Sequence, residues 1–212
     1  MANTLYADLI DEVLPHLAAD PSDPVTELAI KRSVIEFCKD SWVWRFIPDV
    51  QDLSSGVNEY DLEPPAGADV SAIIDVQLDN VPLKPRTVAW LNEHIPGWKT
   101  VPAAVKYYTQ VDTAQIILAP LPDYNQAAAL SMSAALQPSQ SANGFPKWIA
   151  TQYLYQIADG AIARLMLMAG KPWSDPQNGA IHMMAFQNAI ANANADALSA
   201  LGTAPLRVTA QH

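Results

Sequence analysis

Residues 35–45 read IEFCKDSWVWR, the pattern of a helix that ends in a pair of tryptophans. Residues 160–176 read GAIARLMLMAGKPWSDP and end in a similar way, with Trp173 just after a glycine and a proline. Between these two segments helical periodicity is lost, and short alternating stretches take its place. The pattern predicts a helical layer whose chain is interrupted by a β-rich insertion.

We therefore predict an α+β protein in which a four-helix bundle layer carries an inserted antiparallel β-rich domain and an extended C-terminal tail. Thr4 and Asp23 are the expected N-caps of the first two helices. The four helices are predicted at about residues 4–17, 24–42, 145–168 and 176–201. The predicted domain boundaries are 1–46 for the N-terminal helices, 47–138 for the insertion, 145–201 for the C-terminal helices and 202–212 for the tail.

Turn residues divide the insertion into short strands. Asp79-Asn80 follows a run of Val and Ile and predicts a hairpin turn. Thr87 is placed to cap a short helix that ends at Pro96-Gly97. Several such strands within one segment predict a small antiparallel sheet or a sandwich.

The formal net charge of −10 excludes one class of function. A protein that reads nucleic acid by neutralising phosphates needs clustered Lys and Arg, which this composition lacks. The acidity is concentrated before residue 146. It has two interpretations, ordinary solubility or a surface that DNA passes without binding.

Cys38 is the only cysteine, so no intramolecular disulfide can form. Its place among the apolar residues of a helix predicts a small buried side chain. No apolar run approaches the roughly 20 residues that span a bilayer, and no secretory signal is visible at the start. We expect synthesis in a reducing, cytosolic compartment and no membrane association.

Residue patterns of catalysis and metal binding are missing from the sequence. The four histidines share no metal-ligand spacing, and neither a Gly-rich phosphate loop nor a nucleophile elbow is present. We therefore predict no catalytic, cofactor-binding or metal-binding residue. Aromatic side chains at helix ends beside Lys or Arg are typical of subunit contacts. The predicted subunit-interface residues are Trp42, Trp44, Arg45, Trp148 and Trp173.

Three segments resemble a known family. Residues 29–45, the YDLEPP motif at residues 60–65 and residues 160–176 are similar, in the same order, to segments of tailed-bacteriophage head-to-tail adaptors. These proteins are also called head-completion or connector proteins. The large β-rich insertion resembles the adaptors of short-tailed phages, in which a helical bundle carries such a domain.

The resemblance implies a non-enzymatic homo-oligomeric ring, commonly a dodecamer, at the head-tail junction of the virion, made in the host cytoplasm. Such a ring docks under the portal protein and extends the DNA channel used in ejection. It receives the tail tube or nozzle on its other side. DNA would pass through it without sequence-specific binding.

The C-terminal tail is the expected portal-binding segment. Its strand-like Leu206, Arg207 and Val208 are the portal-binding candidates, although an ordinary frayed terminus has the same composition. Two other functions stay open. One is another virion ring component, such as a tail terminator or neck protein. The other is a soluble ligand-binding or hydrolytic domain.

Overall fold

A computed structural model of the protein describes residues 3–199, and its helices and mainly antiparallel sheets confirm the α+β class. The strands are β1 Asn3–Leu5, β2 Arg45–Phe46, β3 Gln51–Leu53, β4 Glu59–Asp61, β5 Ala68–Leu78, β6 Val81–Pro82, β7 Lys84–Pro85, β8 Tyr107–Asp112, β9 Gln115–Ala119, β10 Gln126–Pro138 and β11 Gly144–Pro146. The helices are α1 Ile10–Val13, α2 Asp23–Ser41, α3 Val88–His94, α4 Lys147–Met166 and α5 Pro176–Ser199.

The described chain divides into two compact units. Residues 3–43 and 141–199 form the first, which we call the helical unit. Residues Trp44–Gln140 form the second, which we call the sheet unit.

Three long helices, α2, α4 and α5, pack against one another in the helical unit. α2 starts one residue earlier than predicted, because Ser22 rather than Asp23 is the extended residue before the helix. Pro24 fits the first turn, where its missing N–H costs nothing. Trp42 ends the helix with a left-handed φ of 57°.

The predicted first helix is confirmed only in part, since residues 6–16 are helical but only Ile10–Val13 are α-helical. Thr4 does not cap a helix but lies in β1, where it pairs with Phe145 of β11. The following residues form two short 3-10 turns, Tyr6–Leu9 and Leu14–His16, on either side of α1. Pro15 lacks the N–H that a continuous helix would need. In the described part of the chain the helical unit therefore has three long helices, and the four-helix bundle layer is not observed.

α4 and α5 approach each other closely at Gly160. A Cβ atom at this position would lie 2.8 Å from two ring carbons of Phe186. Phe186 is fully buried and also contacts Phe37 of α2, with ring centroids 6.2 Å apart. Glycine is favoured here because a larger residue would force the aromatic ring to shift.

Arg164, one turn after Gly160 in α4, contacts the other two long helices. Its guanidinium donates to Ser33 Oγ at 3.1 Å and to the Gly160 carbonyl at 2.9 Å, and it pairs with the Glu36 carboxylate. Its Cζ also lies 5.4 Å from the Phe186 ring centroid. One side chain of α4 therefore contacts both α2 and α5.

Two sheets form the sheet unit. One has the strand order β2-β10-β5-β6, with β3 also pairing with β10, and the other has the order β4-β9-β8-β7. A single apolar cluster contains side chains from both sheets, among them Val76, Leu118 and Leu130. The predicted turn at Asp79-Asn80 is confirmed, since both residues have positive φ and join β5 to β6.

α3 packs against β9 of the four-stranded sheet. Leu91 and Trp98 form a second apolar cluster with Ile117 and Ala119 of that strand. The predicted cap is confirmed, because Thr87 Oγ1 accepts a hydrogen bond from the Trp90 N–H at 3.2 Å.

Replacing Gly160 with alanine tests the close approach. In an unconstrained helix interior, Gly→Ala stabilises by about 1 kcal/mol. Here we expect a net loss of about 1 kcal/mol or more, because overpacking forces the Phe186 ring to shift. Denaturant unfolding measures the change. In a protein that also carries Phe186→Leu, Gly160→Ala should reduce the free energy of unfolding by less than it does beside phenylalanine. A stabilising Gly160→Ala substitution would contradict the packing described here.

The buried thiol of Cys38 should react slowly with an alkylating reagent in the folded protein. The thiol is fully buried, and burial raises its pKa well above the ordinary value. Because the thiolate is the reactive form, iodoacetamide should modify native protein far more slowly than unfolded protein. Mass spectrometry of timed samples measures both rates. Equal rates in the two states would show that the thiol is accessible.

Candidate assembly interface

One polar cluster of the described chain links elements of the helical unit. Among residues 3–199, no three or more His, Cys, Asp and Glu side chains are grouped to hold a metal ion. His182 Nδ1 lies 2.8 Å from an Asp159 carboxylate oxygen, which links α5 to α4. His16 contacts the same imidazole edge-on, with centroids 6.0 Å apart. This group joins elements of the helical unit.

An open cavity of about 540 Å³ lies in the sheet unit. Its lining includes Ile73, Ile74, Val88 and a single charged group, Arg86. Its lining residues contain no carboxylate, imidazole or thiol, so they offer no acid–base pair. None of the described helices combines the length and the hydropathy needed to cross a bilayer.

The predicted interface tryptophans of the helical unit occupy separate places. Trp42 is half-buried at the end of α2, and Trp148 is exposed in the first turn of α4. Trp173 follows the other end of α4, so about 27 Å of helix lies between it and Trp148. The structure does not bring these side chains together.

Trp173 has an unusual environment. Its indole Nε1 is buried without a hydrogen-bond partner among the described residues. The Lys171 Nζ lies 5.9 Å from the centroid of its ring system. A buried N–H without an acceptor costs about 1–3 kcal/mol, and a neighbouring molecule could supply the missing acceptor.

Trp44 and Arg45 belong to the sheet unit. Trp44 packs on the cluster between the sheets, and its carbonyl accepts a hydrogen bond from the Leu136 N–H at 2.7 Å. Arg45 is half-buried in β2, opposite Ala135. The portal-binding candidates Leu206, Arg207 and Val208 lie outside the described residues.

One face of α5 is exposed and apolar. Ile181, Met184 and Leu198 are 55 %, 59 % and 45 % exposed. The small or amide residues in line with them are exposed as well. We call this face the α5 stripe, and its members are Ile181, Met184, Ala185, Asn188, Ala191, Ala195 and Leu198.

α5 has almost no charge. Its 24 residues contain no Lys, Arg or Glu and a single Asp, Asp196. The opposite face, with Gly179, Phe186 and Ala193, is buried in the helical unit. A helix on a protein surface normally carries charged residues on its outer face, and α5 has only Asp196.

A second exposed surface lies on α4. Trp148 and Tyr155 are 37 % and 73 % exposed and lie on either side of Tyr153, where the backbone of α4 is not helical (φ −126°). Leu198 and Tyr155 were not among the predicted interface residues. The i, i+3, i+7 periodicity of apolar residues along α5 was the available signal for Leu198.

Comparison with known proteins gives the family. No curated protein matches the sequence. A family model described as "SU10 adaptor protein" matches residues 4–209, nearly the whole chain. The resemblance to phage head-to-tail adaptors is thereby confirmed, and the chain belongs to the SU10 adaptor protein family.

Proposed function

We propose that the protein forms the head-to-tail adaptor ring of a tailed phage. It docks on the portal protein at the head-tail junction, extends the DNA channel and provides the attachment site for the tail tube or nozzle. The proposed role is structural and non-enzymatic. Family membership supports a phage adaptor of the virion, and the α5 stripe supports assembly with further copies.

The α5 stripe is the observation that carries this proposal. An isolated subunit leaves the three large apolar side chains Ile181, Met184 and Leu198 in water. Burying apolar surface contributes about 25 cal/mol per Å² removed from water. Small residues between these side chains allow a second helix to approach closely. A neighbouring copy of the chain is the proposed cover.

A closed ring needs two different complementary surfaces on every subunit. The helical unit exposes the α5 stripe and, separately, the aromatic side chains Trp148 and Tyr155 of α4. Trp42, Trp44, Arg45 and Trp173 stay proposed interface residues. Repetition of one contact around an axis would close the ring, and twelve subunits is our proposed number.

The negative charge suits a channel component. With a net charge of −10, the chain offers DNA phosphates little attraction. A surface of the same sign as DNA limits adhesion during passage. We propose that DNA moves through the ring without sequence-specific contacts.

Placing two lysines on the α5 stripe tests the interface. The variant Ile181→Lys with Met184→Lys should fold as a subunit, because both positions are exposed and lysine is a good helix former. It should fail to form rings on purified portal, since desolvating two unpaired charges opposes packing. Native mass spectrometry of the mixture counts the bound copies.

The control adds charge elsewhere in the helical unit. Ala18→Lys, at an exposed position before α2, should assemble on the portal like the unchanged protein. If the double-lysine variant assembled as well as the unchanged protein, the α5 stripe would not be part of the interface.

Deleting residues 203–212 tests the proposed portal-binding tail. The subunit should keep its unfolding midpoint, while binding to the portal should be lost. The variant with Leu206, Arg207 and Val208 each changed to serine should lose binding as well. Thr209→Ala with Gln211→Ala serves as the control and should bind. Portal binding that survives the deletion would show that another segment docks.

A further inference from the structure

Two strands with opposite charge lie at opposite edges of one sheet. In the four-stranded sheet the order β4-β9-β8-β7 makes β4 one edge and β7 the other. Three strand spacings of about 4.8 Å place these edges about 14 Å apart. Each edge has one side without a partner strand among the described residues.

The β4 edge is acidic. Glu59, Asp61 and Glu63 are exposed and alternate with the buried Tyr60 and Leu62. Because side chains alternate along extended chain, the three carboxylates share one face of the sheet and Tyr60 points into the cluster on the other. We call Glu59, Asp61 and Glu63 the acidic edge.

The β7 edge is basic. Lys84 lies in β7 opposite Tyr107, and Arg86 follows it, with its backbone N–H donating to the Tyr108 carbonyl at 2.9 Å. Both side chains are exposed. The Arg86 Cζ lies 4.8 Å from the Trp90 ring centroid, so stacking holds the guanidinium in place. We call Lys84 and Arg86 the basic edge.

The strand register puts the two edges on the same face. Glu59 pairs with Ile117 of β9, which pairs with Thr109 of β8. Continuing the β7–β8 register by one residue sets Arg86 beside Thr109. Glu59 and Arg86 therefore stand at the two ends of one cross-strand row.

In the described part of the chain, neither edge has an ion-pair partner. Asp61 accepts a hydrogen bond from Gln115 Nε2 at 2.8 Å, and that donor is neutral. The charges of both edges are available to another molecule.

Proline limits how the basic edge can be used. Pro85 in β7 has no N–H to donate to an added strand. A partner would therefore meet this edge through side chains. Arg86, already oriented by Trp90, is suited to pairing with a carboxylate.

We propose that neighbouring copies of the chain contact each other through these edges, with the acidic edge of one sheet unit against the basic edge of the next. The contact is heterologous, so every copy can use both edges around a closed ring. This inference rests on the proposed ring. A second copy is the favoured partner because the chain itself carries the complementary edge, while its net charge of −10 opposes DNA.

Charge reversal tests the contact in full-length protein assembled on portal. One variant, Lys84→Glu with Arg86→Glu, has two acidic edges, and another, Glu59→Lys with Asp61→Lys, has two basic edges. Each alone should need about tenfold or more protein for half-maximal ring formation, because like charges meet at every contact. An equimolar mixture should restore rings in which the two variants alternate. Native mass spectrometry reads the composition of these rings.

A matched control reverses two other exposed acids of the sheet unit, Asp69→Lys and Asp123→Lys, and should leave assembly unchanged. If a reversed variant does not fold, the neutral Lys84→Gln with Arg86→Gln variant replaces it and should show a smaller loss in the same direction.

Normal assembly of folded charge-reversed variants would overturn the edge contact while leaving the ring itself established. Failure of the mixture to restore assembly would overturn it too. The edge contact would also be overturned if the variant Lys84→Glu with Arg86→Glu assembled normally but no longer retained duplex DNA. The basic edge would then be a DNA contact. If the unchanged protein forms no ring on portal, both the edge contact and the proposed function fall.

Discussion

The close contact between Gly160 and Phe186 is the constraint on which the helical unit depends. It lets the α5 backbone approach α4, and it buries Phe186 where Phe37 and Arg164 can reach it. Arg164 then joins α4 to Glu36, a residue 128 positions earlier in the chain. With the Gly179, Phe186 and Ala193 face turned inward, the opposite face of α5 is exposed. The apolar surface available for assembly is thus a consequence of how the core is packed.

In the sheet unit, too, burial of side chains in the core determines which residues are exposed. Burial of Tyr60 and Leu118 in the cluster between the sheets determines which face of the four-stranded sheet turns away from it. Strand order then places the charged residues of that outer face at opposite edges, with the carboxylates on β4 and the cations at β7. A molecule with opposite charges at two edges has complementary surfaces for contact with its own copies, as a closed ring requires.

Local features of the fold were predictable from the sequence, and long-range ones were not. The Thr87 cap and the Asp79-Asn80 turn depend on residues within one turn of chain, and both predictions are confirmed. The predicted Thr4 cap failed because Thr4 pairs with Phe145, a contact that no local pattern reveals. The alternation along β4 was visible, but only strand order shows that Lys84 lies at the opposite edge. The periodicity along α5 is visible in the sequence, whereas the exposure of its apolar residues depends on Phe186 filling the space over Gly160.

Assembly of identical subunits on a portal is the central step of the proposed function, and native mass spectrometry measures it directly. The protein should be weighed alone and after mixing with the portal ring of the same virus. We predict that a fixed number of copies joins each portal, with a single ring as the product. A ring that forms alone and ignores the portal would contradict the adaptor function and indicate a tail terminator or neck protein. No assembly in either sample would contradict a ring-forming role.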